Sequence, residues 1–333
     1  MSLYDLAPTA EDAGIHIQNL TVSYDTDRGR FNALKNVTLD IRPRHITGFI
    51  GESGSGKTTL AMAMMNAIQP PGRIDGGAIL LDGAGDVLQL RGEPLRRLRG
   101  RYFGFVFQAS SNSLNPLKRV GAQLMDLGRS HGISDLRGLL REAKALAERI
   151  GLDGDRVLTS YQHELSGGMR QRVGLVFALV LKARILILDE PTTALDMLTQ
   201  QAVLEIVRSI HQEQGLTTIV ITHDMGVVAE MADRVVVMYA GRVVEEGPTF
   251  SLLTNPQHPY TQGLIRAIPR ITGNLDDAKP LPGSPPDLAT IPTKGCVFRE
   301  RCYARTSVCD TVDPVPTSAH GDGLVMCHGV DAS

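Results

Sequence analysis

The segment GESGSGKT, Gly51 to Thr58, constrains this chain more than any other. It fits the pattern GxxxxGK[ST] and lies between a short apolar run, ITGFI, and a helix-like stretch, LAMAMMNAI. A strand, a glycine-rich turn and a helix in that order let backbone N–H groups wrap a phosphate at the positive end of a helix. Lys57 then reaches the β and γ phosphates of a bound nucleotide, and the Thr58 hydroxyl can ligate Mg²⁺. The remaining sequence agrees with an α/β scaffold. β-like runs at RYFGFVF, ARILILDE, LTTIVITHD and DRVVVMYAG alternate with helical patterns at DLRGLLREAKALAERIG, SGGMRQRVGLVFALVLK and TQQAVLEIVRSIHQEQG. Such alternation implies a mostly parallel sheet. Period-two patterns in IHIQNLTV and LKNVTLDI add two early strands.

Length and composition bound the rest. A chain of 333 residues corresponds to about two domains. Hydrophobic residues at 42% and a near balance of Lys+Arg 34 against Asp+Glu 36 describe a globular protein without a nucleic-acid footprint. The longest apolar run, Val173 to Leu181, is too short to cross a bilayer, which needs about 20 residues. The N-terminal residues carry no secretory pattern, so a cytoplasmic chain without disulfides is expected. RGEPLRRLRGR, residues 91–101, is read as a solvated helix face rather than a nucleic-acid patch. Residues 1–13 read as a polar tail. The final 83 residues hold 10 of the 18 prolines, which places a boundary near residue 250 and a loop-rich extension over 251–333. All four cysteines fall in the last 38 residues, an arrangement with odds of about two in ten thousand by chance.

Two further segments carry chemistry. ILILDE ends in Asp189 and Glu190 at the C-terminal edge of a fully aliphatic strand, where carboxylates face a nucleotide. Asp189 is placed to hold Mg²⁺ through water and Glu190 to act as general base on an attacking water. A lone Asp-Glu pair is more often a surface feature, but the phosphate loop in the same chain favours the catalytic reading. LSGGMRQR, Leu165 to Arg172, opens a helix with Ser166 and two glycines, Gly167 and Gly168, so a hydroxyl and N–H groups are available for a second anion.

With these residues in place, the sequence resembles the ATP-binding-cassette (ABC) family over roughly residues 14–250, LSGGMRQR matching its signature motif. The resemblance implies a P-loop NTPase core with an antiparallel β subdomain and a helical signature subdomain over about 109–180. It implies ATP and Mg²⁺ as ligands, with Gly51, Ser53, Gly54, Gly56, Lys57, Thr58 and Thr59 around the phosphates. Tyr24 resembles the aromatic that stacks on adenine, against the alternative of an edge-strand tyrosine. Gln108 in FVFQ resembles the residue that senses Mg²⁺ and the attacking water, and TALD, Thr193 to Asp196, the dimer-contact loop. His223 in VITHD resembles the switch histidine at the γ phosphate. The family also implies two ATPase subunits head to tail, Ser166 and Gly168 closing over the partner's ATP.

SLNPLKRVGAQL and NPQHPYTQGLIRAIPR narrow the resemblance to the ATPase subunits of bacterial dipeptide and oligopeptide importers. That branch implies two separate membrane permease subunits, a peptide-binding protein acting indirectly, and a peripheral location on the cytoplasmic face of the inner membrane. Nickel or glutathione-like solutes are the alternative cargo, and a soluble non-transport ABC ATPase is the more distant one. For His258 and Tyr260, packing of a linker onto the core is favoured over chemistry. The cysteines, Cys296, Cys302, Cys309 and Cys327, are spaced C-x5-C-x6-C-x17-C, and four thiolates alone leave zinc and an iron–sulfur cluster both open. The resemblance, through GCVFRERC and the terminal CH, implies a [4Fe-4S] cluster, which would staple the extension, with zinc or unligated thiols as the alternatives. Tyr303 stands where the family commonly has proline.

Overall fold

The computed structural model describes residues 13–27, 29–107, 114–193, 195–268, 281–287, 291 and 294–330. In chain order these form β1 (Ile15–Thr26), β2 (Gly29–Ile41), β3 (Ile46–Ile50), α1 (Lys57–Met64), β4 (Gly72–Leu81), β5 (Gly85–Asp86), α2 (Gly92–Arg101), β6 (Phe103–Val106), α3 (Val120–Ser130), α4 (Leu136–Arg149), α5 (Gly154–Thr159), α6 (Gly167–Leu179), β7 (Ile185–Asp189), α7 (Met197–Gln214), β8 (Thr217–Ile221), α8 (Met225–Met231), β9 (Arg234–Tyr239), β10 (Arg242–Pro248), α9 (Thr249–Thr254), α10 (Pro259–Arg266), α11 (Val308–Thr311), β11 (Thr317–Ala319) and β12 (Gly323–Val325). The chain divides into two compact units, one built mainly of Leu81–Ile221, the other of Ile15–Ile41, His45–Leu80 and the residues from Thr222 onward.

In the first unit β6, β7 and β8 run parallel, Phe103 opposite Ile185 and Ile185 opposite Thr217. Every residue of β7 and β8 is buried, the reason their sequences are unbroken aliphatic and threonine runs rather than alternating ones. Helix α6 lies close on β6: a Cβ on Gly104 would sit 2.3 Å from the Ala178 carbonyl oxygen. Helix α4 buries Leu139, Ala143 and Ala147 on one stripe, and Asp135 caps it by accepting the Gly138 N–H at 2.7 Å. On α2, Arg96 and Arg97 both bond Glu93 on an exposed face.

In the second unit β1 pairs antiparallel with β2, Ile15 opposite Ile41, and β4 lies on the other side of β1. β3 pairs parallel with β9, and β10, β12 and β11 continue from β9 antiparallel. One buried cluster joins Ile50 of β3, Val235, Val237 and Tyr239 of β9 and Val244 of β10 to Leu252, Tyr260, Cys296, Phe298 and Cys309. Among the described residues, the proline-rich C-terminal part completes a core that the strands begin. Aromatic contacts knit it: Tyr239 and Tyr260 ring centroids are 4.6 Å apart, and Phe298 meets Tyr239 edge-on at 5.2 Å.

Candidate functional site

The phosphate loop leaves the buried end of β3 at Gly51 and turns into α1. Gly51 has φ +148, and a Cβ there would lie 2.2 Å from the Met238 carbonyl oxygen and 2.8 Å from the Ser55 hydroxyl. Gly56, φ +102, is closed off by the Ala33 carbonyl oxygen at 2.8 Å. Both positions therefore need glycine for backbone angle and for space. Gly54, φ +77, differs: nothing lies within 4 Å of its absent Cβ. The loop is open on that side.

Helix α1 begins at Lys57 after the N-cap Gly56, which supplies no side-chain cap, and a helix start is a place where anions bind. Lys57 is buried and curled into the loop, its Nζ donating to the Gly51 carbonyl at 2.7 Å, the Glu52 carbonyl at 2.9 Å and the Ser55 hydroxyl at 3.2 Å. Ser53, Gly54 and Thr58 are exposed and Thr59 is half-buried. The donor set, a lysine, an uncapped helix start and an exposed threonine hydroxyl, fits a nucleotide triphosphate with Mg²⁺.

In the same unit the Thr222 N–H donates to the Phe49 carbonyl on β3 at 3.1 Å, which holds the turn carrying exposed His223 at the strand that feeds the loop. Tyr24, half-buried, stacks on Phe31 across the β1–β2 pair, centroids 5.9 Å apart and planes 17° apart. Gly72 gives that ring room, since a Cβ there would be 2.7 Å from Tyr24 Cε1.

In the first unit Asp189, 2% exposed, ends β7. Glu190 follows with φ +52, a left-handed conformation that is uncommon for a side-chain-bearing residue and clusters at functional positions. Its N–H donates to the Ile221 carbonyl at 2.9 Å, and Thr193 Oγ1 donates to its Oε2 at 3.0 Å. Ser166 caps α6, its Oγ accepting the Met169 N–H at 3.3 Å, and Ser166 and Gly167 are exposed. The hydroxyl is thus engaged with its own helix rather than simply projecting. Gly168 faces α7, where a Cβ would meet Thr199 Cγ2 at 2.8 Å. Asp196 caps α7 through the Thr199 N–H at 2.9 Å and hydroxyl at 2.7 Å, and the N–H bond chiefly holds its carboxyl below the usual carboxylate range. Gln108 lies outside the described residues.

The four cysteines gather in one locality. Cys296 and Cys309 are buried, Cys302 and Cys327 half-buried, and the Cys296 N–H donates to the Cys309 carbonyl at 2.8 Å. Burial pushes the Cys296 thiol up to about 11 and raises Cys302 and Cys327. Ligation needs thiolates, and among the described residues no group of three or more His, Cys, Asp or Glu is set closely enough to hold a metal ion. The thiols are gathered but not arranged as a ligand cage, so the expected [4Fe-4S] cluster, and zinc with it, is without support in this geometry.

Glu52, Tyr260 and Arg301 enter the site without having been singled out as part of it. The Glu52 N–H donates to Tyr260 Oη at 2.8 Å. Arg301 Nη1 and Nη2 donate to the two carboxylate oxygens of Glu52 at 2.6 and 3.0 Å. His258 and Tyr260 are both fully buried: His258 Nδ1 caps α10 by accepting the Tyr260 N–H at 3.0 Å. Packing is therefore only part of the role of this His-Pro-Tyr segment, since its tyrosine reaches the phosphate loop.

Comparison with known proteins places these features. The ABC transporter family profile matches residues 34–193, and the profile of the oligopeptide/dipeptide transporter C-terminal region matches residues 244–309. The dipeptide transport ATP-binding protein DppD of Caldanaerobacter subterraneus is 38% identical over 94% of this chain and 96% of that protein. The oligopeptide transport ATP-binding protein OppD of Haemophilus influenzae is 36% identical over 92% of this chain and 94% of its own length. A bacterial ABC transporter cassette solved as a dimer superposes with a TM-score of 0.61 at 28% identity, covering 71% of this chain and 98% of the cassette. The phosphate loop, the LSGG helix and the extension after β10 are thus the parts of one inherited plan, and the chain belongs to the ABC transporter family, in the branch carrying the oligopeptide/dipeptide transporter C-terminal region.

Proposed function

We propose that this chain binds and hydrolyses ATP to drive import of dipeptides or oligopeptides through separate membrane subunits. The observation that carries the reading is the joint presence of an open, uncapped phosphate loop and a C-terminal region of the peptide-transporter type packed into the same unit. Lys57 and the start of α1 bind the phosphates, His223 contacts the γ phosphate, and Glu190 takes the proton of the attacking water. Thr58, Asp189 and Gln108 would hold Mg²⁺, which would supply charge neutralisation for phosphoryl transfer. Tyr24 stacks on the adenine.

Among the described residues no helix is long and apolar enough to cross a membrane, so translocation calls for other chains, and the protein acts peripherally at the cytoplasmic face. A second ATPase subunit is part of the same proposal. The exposed start of α6 and the bare apolar tips Met197 and Leu198, 87% and 85% exposed beside Asp196, support a partner that covers them. Ser166→Arg is then expected to abolish activity of the assembled complex while leaving nucleotide binding to the single chain intact. Normal turnover in that variant would rule out the shared site.

The cargo is tested by isolating the complex from membranes and measuring uptake of labelled di- and oligopeptides. Two multi-span membrane proteins and peptide uptake are expected. Uptake of nickel or a glutathione-like solute instead would move the chain to another importer, and recovery on ribosomes would end the transport reading.

A further inference from the structure

Glu52 is the second residue of the phosphate loop, and each of its polar groups is committed. Its N–H is held by Tyr260 Oη at 2.8 Å, its carbonyl by Lys57 Nζ at 2.9 Å, and its carboxylate by both terminal nitrogens of Arg301. Two of these three anchors come from the C-terminal extension. The Arg301 side chain is only 6% exposed. Its Nε donates to the Pro282 carbonyl at 2.7 Å, and its guanidinium lies over the rings of Tyr239 and Phe298 at 5.8 and 6.0 Å. A fork held by these three contacts presents its two terminal nitrogens to a carboxylate in a defined geometry, which is what a bidentate arginine pair provides.

The charges state the problem that this arrangement solves. A loop built to receive a polyphosphate carries an acidic side chain within it, and a bare carboxylate there repels the ligand the loop must bind. We propose that Arg301 and Tyr260 are positioning residues for the phosphate loop: Arg301 neutralises and orients Glu52, Tyr260 fixes the Glu52 peptide plane, and the extension thereby sets the loop's affinity for nucleotide. The inference rests on the reading that this loop binds ATP. Neither residue touches the reacting atoms, and both act through Glu52. The segment that carries Arg301 also carries Cys296 and Cys302, so the order of this segment is transmitted to the loop by one side chain.

The test is titration of the full chain with a fluorescent ATP analogue and Mg²⁺, comparing wild type, Arg301→Met, Glu52→Gln, the double variant and Lys57→Ala. Arg301→Met is expected to weaken binding about tenfold at low salt, with the deficit shrinking as salt screens the exposed carboxylate. Glu52→Gln alone is expected to change affinity by less than about threefold, and the double variant to bind like Glu52→Gln, because Arg301 has no carboxylate left to neutralise. Wild-type affinity in a folded Arg301→Met, or a double variant as weak as Arg301→Met, overturns the inference. Tyr260→Phe removes only the hydroxyl and keeps the charge pair. It is expected to bind the analogue several-fold more weakly with little change in melting temperature, and unchanged affinity would count against the role of Tyr260. Lys57→Ala separates the two levels: if it binds like wild type, the phosphate-loop reading itself fails, whereas loss there with no effect at Arg301 sinks this inference alone.

Discussion

Replacing His258 by asparagine isolates one buried titration. His258 is 1% exposed, and burial pushes its imidazole down from 6.5 to about 3. Nδ1 accepts the Tyr260 N–H at 3.0 Å, so a proton there would set donor against donor and undo the cap of α10. The ring is therefore neutral when α10 is docked and charges freely when it opens. Stability from this group is complete above about pH 6.5 and falls as pH drops toward about 3. Between about pH 7.5 and about pH 5, linkage gives a loss of roughly 2 kcal/mol, or about 30-fold in the local opening equilibrium. Asparagine keeps a capping oxygen and does not titrate. Glu245, fully buried, accepts the Gln257 and His258 N–H groups and contacts His320 Nε2 at 2.7 Å, and its contribution is common to both proteins. The assay is native-state hydrogen exchange of the α10 amides, corrected for intrinsic rates. Protection in wild type should fall about 30-fold relative to His258→Asn across that interval. A constant ratio between the two would refute the buried neutral imidazole.

Three other outcomes follow from the site. Glu190→Gln should bind ATP like wild type while hydrolysis drops by about a hundredfold or more, and steady-state phosphate release near the wild-type rate would remove Glu190 from the role of base. Gly51→Ala places a methyl 2.2 Å from the Met238 carbonyl oxygen at φ +148, so it should cost on the order of 2 kcal/mol or more and impair nucleotide binding. An unchanged melting temperature would contradict that close approach. For Cys296, a shift from 9.0 to about 11 makes the thiolate about a hundredfold scarcer below pH 9. Peptide-resolved alkylation of the native chain should lag a free thiol by at least that factor, and a free-thiol rate would show that the site is open.

The parts of the molecule that sequence made legible are those where backbone geometry and residue type are coupled locally. Gly51 and Gly56 are demanded by positive φ and by close carbonyls, so the loop pattern carries its own conformation. The aliphatic run Ile185–Leu188 declares a strand covered on both faces. Ser166 before two glycines announces a helix start, although its engagement with the Met169 N–H follows from cap geometry and not from the motif. The C-terminal residues are less legible, because a proline-rich segment lacks periodicity and its partners are remote. Tyr260 and Phe298 become core by meeting residues remote in sequence, Tyr239 of β9 among them. Glu52 occupies a variable position of GxxxxGK[ST], and Arg301 stands among several arginines. No spacing rule joins them, since their pairing depends on three-dimensional proximity alone. The cysteines show the reverse hazard: their clustering was evident from composition, but gathering four thiols does not by itself make a ligand cage.

The Arg301–Glu52 pair spans 249 positions of chain. During synthesis at about 5–20 residues per second, Glu52 leaves the ribosome on the order of tens of seconds before Arg301 exists. Through that interval Glu52 is without its arginine partner. A nascent or prematurely terminated chain would thus have the whole GESGSGKT sequence but a weakened grip on nucleotide. On the proposed role of Arg301, full nucleotide affinity then depends on a segment far along the chain from the one that encodes the loop.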